Sequence, residues 1–145
     1  MRIPDYVSVE EVRRVCKELG LRDWTDLKEA KVLPEEAAKI QAEVGGETSQ
    51  ISTDEFRKGL EVELEHGLQF SDANVTNNHP LLTGKIVLAH LKETLDYYTR
   101  LEVTELEGDL LKAIIKGDPQ KIKAVYQKLS AARLTLAKAE SEQTG

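Results

Sequence analysis

Phe56-Arg57-Lys58-Gly59-Leu60-Glu61-Val62-Glu63-Leu64-Glu65-His66-Gly67 is the stretch whose reading decides the fold class. Within it, Glu61-Val62-Glu63-Leu64-Glu65 alternates charged and apolar residues, and it is the only run in the chain that offers itself as a strand. Such dense charge disfavours a strand. Phe56, Leu60 and Leu64 recur every fourth residue, which a helix gathers on one side. Ser52-Thr53-Asp54-Glu55, just upstream, has the serine and the glutamate three residues on that open a helix with a capping box. The stretch is a helix reaching about Gly67. With its strand candidate gone, the chain reads as all-α, a single compact bundle of five to six helices.

On a wheel of about 100° per residue, Arg57, Lys58, Glu61 and Glu65 form the solvated side of this helix. Glu63 falls between Phe56 and Gly59, inside the apolar arc, and His66 lies near Gly59 and Val62. Gly59 removes bulk there and invites a close helix approach. Leu68 to Pro80 is rich in Asn, Asp, Ser and Thr and reads as a loop held by local side-chain turns. Beyond it, Thr83 is a candidate cap for a fourth helix reaching about Leu101. Ile86, Val87, Leu91, Leu95, Tyr98 and Leu101 mark its apolar side, with His90 in the arc and Glu93 at its edge.

An antiparallel hairpin of these third and fourth helices, at the centre of the bundle, brings Glu63 and His66 to face His90 and Glu93, with Tyr97 and Tyr98 further along. Two chemistries compete for that cluster. A structural network has Glu63 accepting from His90 or from a Tyr97 or Tyr98 hydroxyl, which satisfies groups that are costly to bury. A divalent-metal site (Fe, Mn or Zn) draws on Glu63, His66, His90 and Glu93, because Glu-x-x-His is the inward-facing spacing of di-iron bundles and two imidazoles with carboxylates suit a mononuclear ion. The full di-iron pattern needs two such pairs in that order and two more glutamates, and the chain supplies one. Acid–base catalysis by Glu63 with His90 is a variant of the second reading and needs an open cleft.

The remaining helices carry their own punctuation. Ser8-Val9-Glu10-Glu11 is a capping box, and Gly20 suits a left-handed helix end. Trp24 and Leu27 anchor the ambiguous segment Leu21 to Val32. Pro34 opens a second helix that Gly45-Gly46 stops. Past Leu101 the helical pattern continues with a break near Gly108. Gly117-Asp118-Pro119 then ends one helix and starts the next. In the last helix Ile122, Val125, Leu129, Ala132, Leu136 and Ala139 form a narrow coiled-coil-type seam, suited to packing within the chain or to a homodimer through the C-terminal helix. Residues 141–145 are expected to fray.

Several lone features reduce to structure. Cys16, the single cysteine, lies on an apolar stripe and reads as core. His79, before Pro80, reads as a solvated turn residue. Asn74-Val75-Thr76 matches a glycosylation acceptor, without consequence in the absence of a secretory signal. Thr83-Gly84-Lys85 lacks the glycine-rich run and the strand of a phosphate loop.

The chain has 145 residues, 40% hydrophobic and 32% charged, enough for a real core beneath a well-solvated surface. No window is apolar enough to span a bilayer, and Met1-Arg2-Ile3-Pro4-Asp5 lacks a leader's apolar stretch, so a cytoplasmic protein with no membrane association is expected. The net charge of −6 weighs against a nucleic-acid partner. From Leu110 onward, seven lysines and arginines outnumber three acids for a net of +4, which leaves −10 for the preceding part. A basic C-terminal segment therefore follows an acidic body, complementary to itself, to a second subunit or to an anionic partner.

Glu55 to Gly67, Asn74-Val75-Thr76, Pro80 to Ile86, Ala89-His90-Leu91 and Asp96 to Leu101 together resemble a domain of unknown function found in small prokaryotic and phage proteins. A looser likeness covers Val12 to Asp26. The resemblance implies a family-like core over 52–103 and a helical extension over 105–140, both within a single helical domain spanning 1–140. The segment from about Lys28 to Gln50 looks like an insertion, and an acidic residue is usual where His79 stands. The resemblance implies no activity. The reading is a non-enzymatic interaction or scaffold protein with a buried Glu/His/Tyr network; the alternative is a divalent-metal protein, with a metal-dependent enzyme as its extension.

Overall fold

The computed structural model describes residues 6–145, so the expectation concerning Met1–Asp5 lies outside the described residues. Among the described residues there are six α-helices and no strand: α1 (Val9–Leu19), α2 (Pro34–Val44), α3 (Thr53–Gln69), α4 (Pro80–Glu93), α5 (Tyr97–Lys116) and α6 (Pro119–Thr144). Short 3-10 turns lie at Trp24–Asp26, Gly46–Gln50 and Ser71–Ala73. The all-α reading is thus correct. The chain divides into two compact units, Met1–Leu95 and Asp96–Gly145.

In the first unit α2, α3 and α4 pack against one another, and α1 packs on α4 and on the Trp24 turn. Val12, Trp24, Ile40, Phe56, Leu60, Leu64 and Val87 are fully or almost fully buried, and so is the Cys16 side chain. Burial pushes the Cys16 thiol up, as befits a core cysteine. The caps follow their residues. The Ser8 hydroxyl accepts the Glu11 N–H, Gly20 ends α1 in the left-handed region, and Ser52 and Glu55 close a full capping box.

The segment between α1 and α2 is held by an ion pair that sequence periodicity does not reveal. Glu36 is buried in the first turn of α2 and accepts from Arg22 Nε at 3.0 Å, Arg22 Nη2 at 2.7 Å and the backbone N–H groups of Arg22 and Leu33. Burial raises its pKa, but the Arg22 guanidinium and the two N–H donors outweigh this and hold the carboxyl below its ordinary value. Glu61, placed by the wheel on the solvated side of α3, is half-buried and accepts the Val32 N–H at 3.0 Å. It ties the preceding segment to α3.

Both ends of the fourth helix differ from expectation. The fourth helix starts at Pro80, not Thr83, because the buried His79 serves as its cap: Nδ1 accepts from Leu81 N at 3.2 Å and Leu82 N at 3.3 Å. Thr83 sits inside the helix and donates its hydroxyl to the His79 carbonyl. The helix also stops at Glu93 instead of continuing to Leu101, with Thr94 in an extended conformation. Thr is stiff at its β-carbon and Asp prefers caps, so Thr94 and Asp96 are poor helix formers in this stretch. The apolar series that argued for continuity is broken, and Leu95 is 40% exposed.

In the second unit α5 and α6 form an antiparallel hairpin around Gly117, which adopts the left-handed conformation. Asp118 caps α6 through the Lys121 N–H, and Pro119 takes the first helical position. Gly108 is not a break; α5 runs through it. The six residues of the expected seam are the buried or half-buried ones along most of α6, and Val103, Leu106, Leu110 and Ala113 supply the facing seam on α5. This is packing within one chain. At the open end of the hairpin, buried Asp96 accepts from Arg100 and from Gln143 Nε2, and α6 stays helical to Thr144, past the expected fraying point.

Candidate functional site

Helix α3 buries Phe56, Gly59, Leu60 and Leu64, and Glu63 lies on the same side, four residues past Gly59. The loop after α3 is closed by asparagines. Asn74 Nδ2 donates to Asn78 Oδ1 at 2.9 Å and to the Gly67 carbonyl at 3.3 Å, while Asn77 and Asn78 take positive φ. A Cβ at Gly67 would lie 2.5 Å from Asn78 Oδ1 and 3.1 Å from Asn74 Cγ, so the glycine makes room for the two asparagine side chains. The acceptor-like Asn74 is therefore a loop staple. The chain returns as α4, whose buried side is Pro80, Thr83, Gly84, Val87 and Leu91. Gly67 meets Asn78 near the loop and Glu63 meets His90 farther from it, so α3 and α4 run antiparallel.

The hairpin brings four of the anticipated residues together. Glu63 Oε1 lies 3.5 Å from His90 Nε2, and Glu63 Oε2 lies 3.7 Å from His66 Nδ1. The other ring nitrogen of His90, Nδ1, lies 4.0 Å from Glu93 Oε2. The result is a chain of alternating sign capacity: Glu93, His90, Glu63, His66. Each interior member uses opposite ends of its head group for its two neighbours. The Glu63 side chain is only 10% exposed and the His90 side chain 30%, whereas His66 is 60% exposed and Glu93 69%. The inner pair is sheltered and the ends are wet, so the network is less buried than the wheel implied. Tyr97 and Tyr98 belong to the second unit, where their rings meet edge to face with centroids 5.1 Å apart. The break at Thr94 removes the wheel argument that placed them in line with His90.

A metal cage needs donor atoms that converge on one point within about 2.0–2.2 Å of the ion, if that ion is zinc. Glu63 lies beside both His66 and His90, and His90 beside both Glu63 and Glu93. No group of three or more His, Cys, Asp or Glu among the described residues is arranged to hold a metal ion. An open groove beside α2, lined by Ala38, Gln41, Ala42 and Thr53 among others, holds no acid, base or imidazole.

His79 is the residue that sequence reasoning placed wrongly. It is a buried cap, and burial holds its imidazole below the ordinary value of 6.5, with Glu11 pulling weakly the other way. The usual acidic residue at that position was the signal for a cap, since Asp is a favoured N-cap.

No helix among the described residues is long and apolar enough to cross a membrane. Neither the curated proteins nor the solved structures contain a match to this chain. A family model described as "Protein of unknown function (DUF5661)" matches residues 12–107, which takes in most of α1, all of α2 to α4 and the first half of α5. On that match, covering well over half of its length, the chain belongs to the DUF5661 family of proteins of unknown function.

Proposed function

We propose that this protein is a non-enzymatic helical interaction protein of the cytoplasm, in which the Glu93–His90–Glu63–His66 chain is a polar latch that sets the register of α3 against α4. One observation carries the reading. Glu63, almost fully sheltered, spends one carboxylate oxygen on an imidazole from α4 and the other on an imidazole from its own helix. A carboxylate so placed fixes one register, because sliding either helix by a turn strands it in an apolar setting. The interaction role is supported by the large apolar side chains that the α5–α6 hairpin leaves in water, Leu111, Ile114, Ile115, Tyr126 and Leu134.

The test is elemental mass spectrometry on untagged protein beside thermal melts of His90→Ala and Glu63→Ala. The expected result is no stoichiometric metal and a lower melting temperature for both variants. The loss for Glu63→Ala is about 1–2 kcal/mol, because His66 and His90 lose the carboxylate that they share. Near-stoichiometric iron, manganese or zinc that disappears in His90→Ala overturns the latch in favour of a metal centre.

A further inference from the structure

One side of the α5–α6 hairpin carries a second pair of stripes that the intramolecular seam does not use. Arg100, Glu107 and Ile114 recur every seventh residue on α5, and Tyr126, Arg133 and Glu140 do so on α6. In helices packed as a two-stranded seam, residues seven apart keep the same orientation. The ion pair from Arg100 Nη1 to Glu140 Oε1 at 2.8 Å fixes both stripes to the same side of the hairpin and sets their register. From the open end toward the Gly117 turn, that side reads Arg100 beside Glu140, Glu107 beside Arg133, and Ile114 beside Tyr126. Ile114 is 54% exposed and Tyr126 55%, with Leu111 exposed next to them. Glu107 and Arg133 are exposed and make no ion pair within the hairpin, although each is the other's counterpart in level. Lys112, Lys116 and Lys128 stand two residues from Ile114 or Tyr126, about 200° around their helices, and so point away from this side.

We propose that this side of the hairpin is the interface of a two-fold homodimer, with the axis along the hairpin and both turns at the same end. The partner is argued from complementarity. Under that operation α5 of one copy lies on α6 of the other at the same level. Each level then meets its complement: Arg100 faces Glu140, Glu107 faces Arg133, and Ile114 with Leu111 faces Tyr126. An isologous contact requires a self-complementary patch, and this pattern satisfies it. The opposite arrangement, with turn against open end, sets Ile114 and Tyr126 on Arg100 and Glu140 and leaves charges over apolar groups. Two hairpins so paired make a four-helix bundle, in which the second seam excludes water from its apolar end. The inference deepens the interaction reading and rests on it by naming a second copy of the chain as the partner.

Sedimentation velocity and light scattering on the full chain test it. The expected mass is twice the 16.2 kDa of one chain at high concentration, falling toward one chain on dilution. Glu107→Arg sets arginine against arginine across the axis and is expected to abolish the dimer. Combining it with Arg133→Glu restores the opposite pairing and the dimer. Both residues are exposed, so far-UV circular dichroism is expected to stay unchanged and to separate dissociation from unfolding. A wild-type mass of one chain at every concentration overturns the proposal and leaves this side to another partner. A dimer indifferent to Glu107→Arg, or a double variant that stays monomeric, overturns the stated register. None of these outcomes alters the melting and metal results that test the latch.

Discussion

At the scale of the residue, two buried side chains make testable contributions. His79 caps α4 through an unprotonated Nδ1, and burial holds its pKa below 6.5. A group with a depressed histidine pKa favours the fold in its neutral form. Its contribution is present above the unfolded value of about 6.5 and is lost as pH falls through that value toward the lower folded pKa. Melting temperatures between pH 8 and 5 are expected to fall on the acid side, and His79→Asn, which keeps a side-chain cap without a titrating ring, is expected to flatten that step. An unchanged pH profile in the variant removes His79 as its source. Glu36 acts lower on the pH scale. Its carboxyl is held below 4.5, so its contribution is complete near neutrality and fades only in stronger acid. Glu36→Ala leaves the Arg22 and Leu33 donors without their acceptor, and a loss of about 2–3 kcal/mol is expected in urea unfolding. Both roles had a sequence signal, a residue before Pro80 and a glutamate two places after Pro34. Both are cap signals, and periodicity does not see caps.

At the scale of the element, two helical glycines give opposite predictions. A Cβ on Gly84 would sit 2.8 Å from Val44 Cγ2 and 2.9 Å from Ile40 Cγ2, where α4 crosses α2. Overpacking costs about 1–3 kcal/mol, while the gain in helix propensity from Ala is about 1 kcal/mol. Gly84→Ala is therefore expected to lower the melting temperature. A Cβ on Gly108 meets nothing within 4 Å. Gly108→Ala keeps only the propensity gain and is expected to stabilise by about 1 kcal/mol. Differential scanning calorimetry of the two variants decides both, and equal signs contradict the packing account. The contrast shows where sequence reading runs out. Gly108 looks like a helix breaker and Gly84 like part of a failed phosphate motif, because the open space at one and the Val44 and Ile40 methyls at the other do not show in the adjacent residues. Gly59, where a close approach was anticipated, is buried on α3, and Gly84 carries a steric demand that the sequence did not announce.

At the scale of the whole molecule, the second unit carries an apolar cluster built on Val103, Leu129 and Ala132 with Leu106, Leu110 and Leu136 around them. Leu129→Ala is expected to destabilise the hairpin by about 2–5 kcal/mol. Hydrogen exchange should then accelerate in α5 and α6 peptides and leave α2 to α4 peptides near their wild-type rates, as for a cooperative unit opening by itself. Equal acceleration throughout refutes that independence. The family match ends at residue 107, inside the unbroken α5, so the hairpin is completed by residues beyond the match.

What the sequence by itself determined rests on short-range physics. The helical state of Phe56–Gly67, the caps at Ser8, Ser52 and Asp118, the left-handed ends at Gly20 and Gly117 and the α6 seam all follow from residues within one or two turns of each other. The meeting of Glu63 with His90 was also legible, because an ionisable residue on each apolar arc and a loop between them leave few alternatives. Tertiary structure decided the rest: that Glu36 is the anchor of Arg22, that Glu61 takes the Val32 N–H, and that Gly84 is the tight crossing. Each of these depends on the distance and direction between groups far apart in sequence. Helical periodicity places a residue on a face but does not say what that face meets.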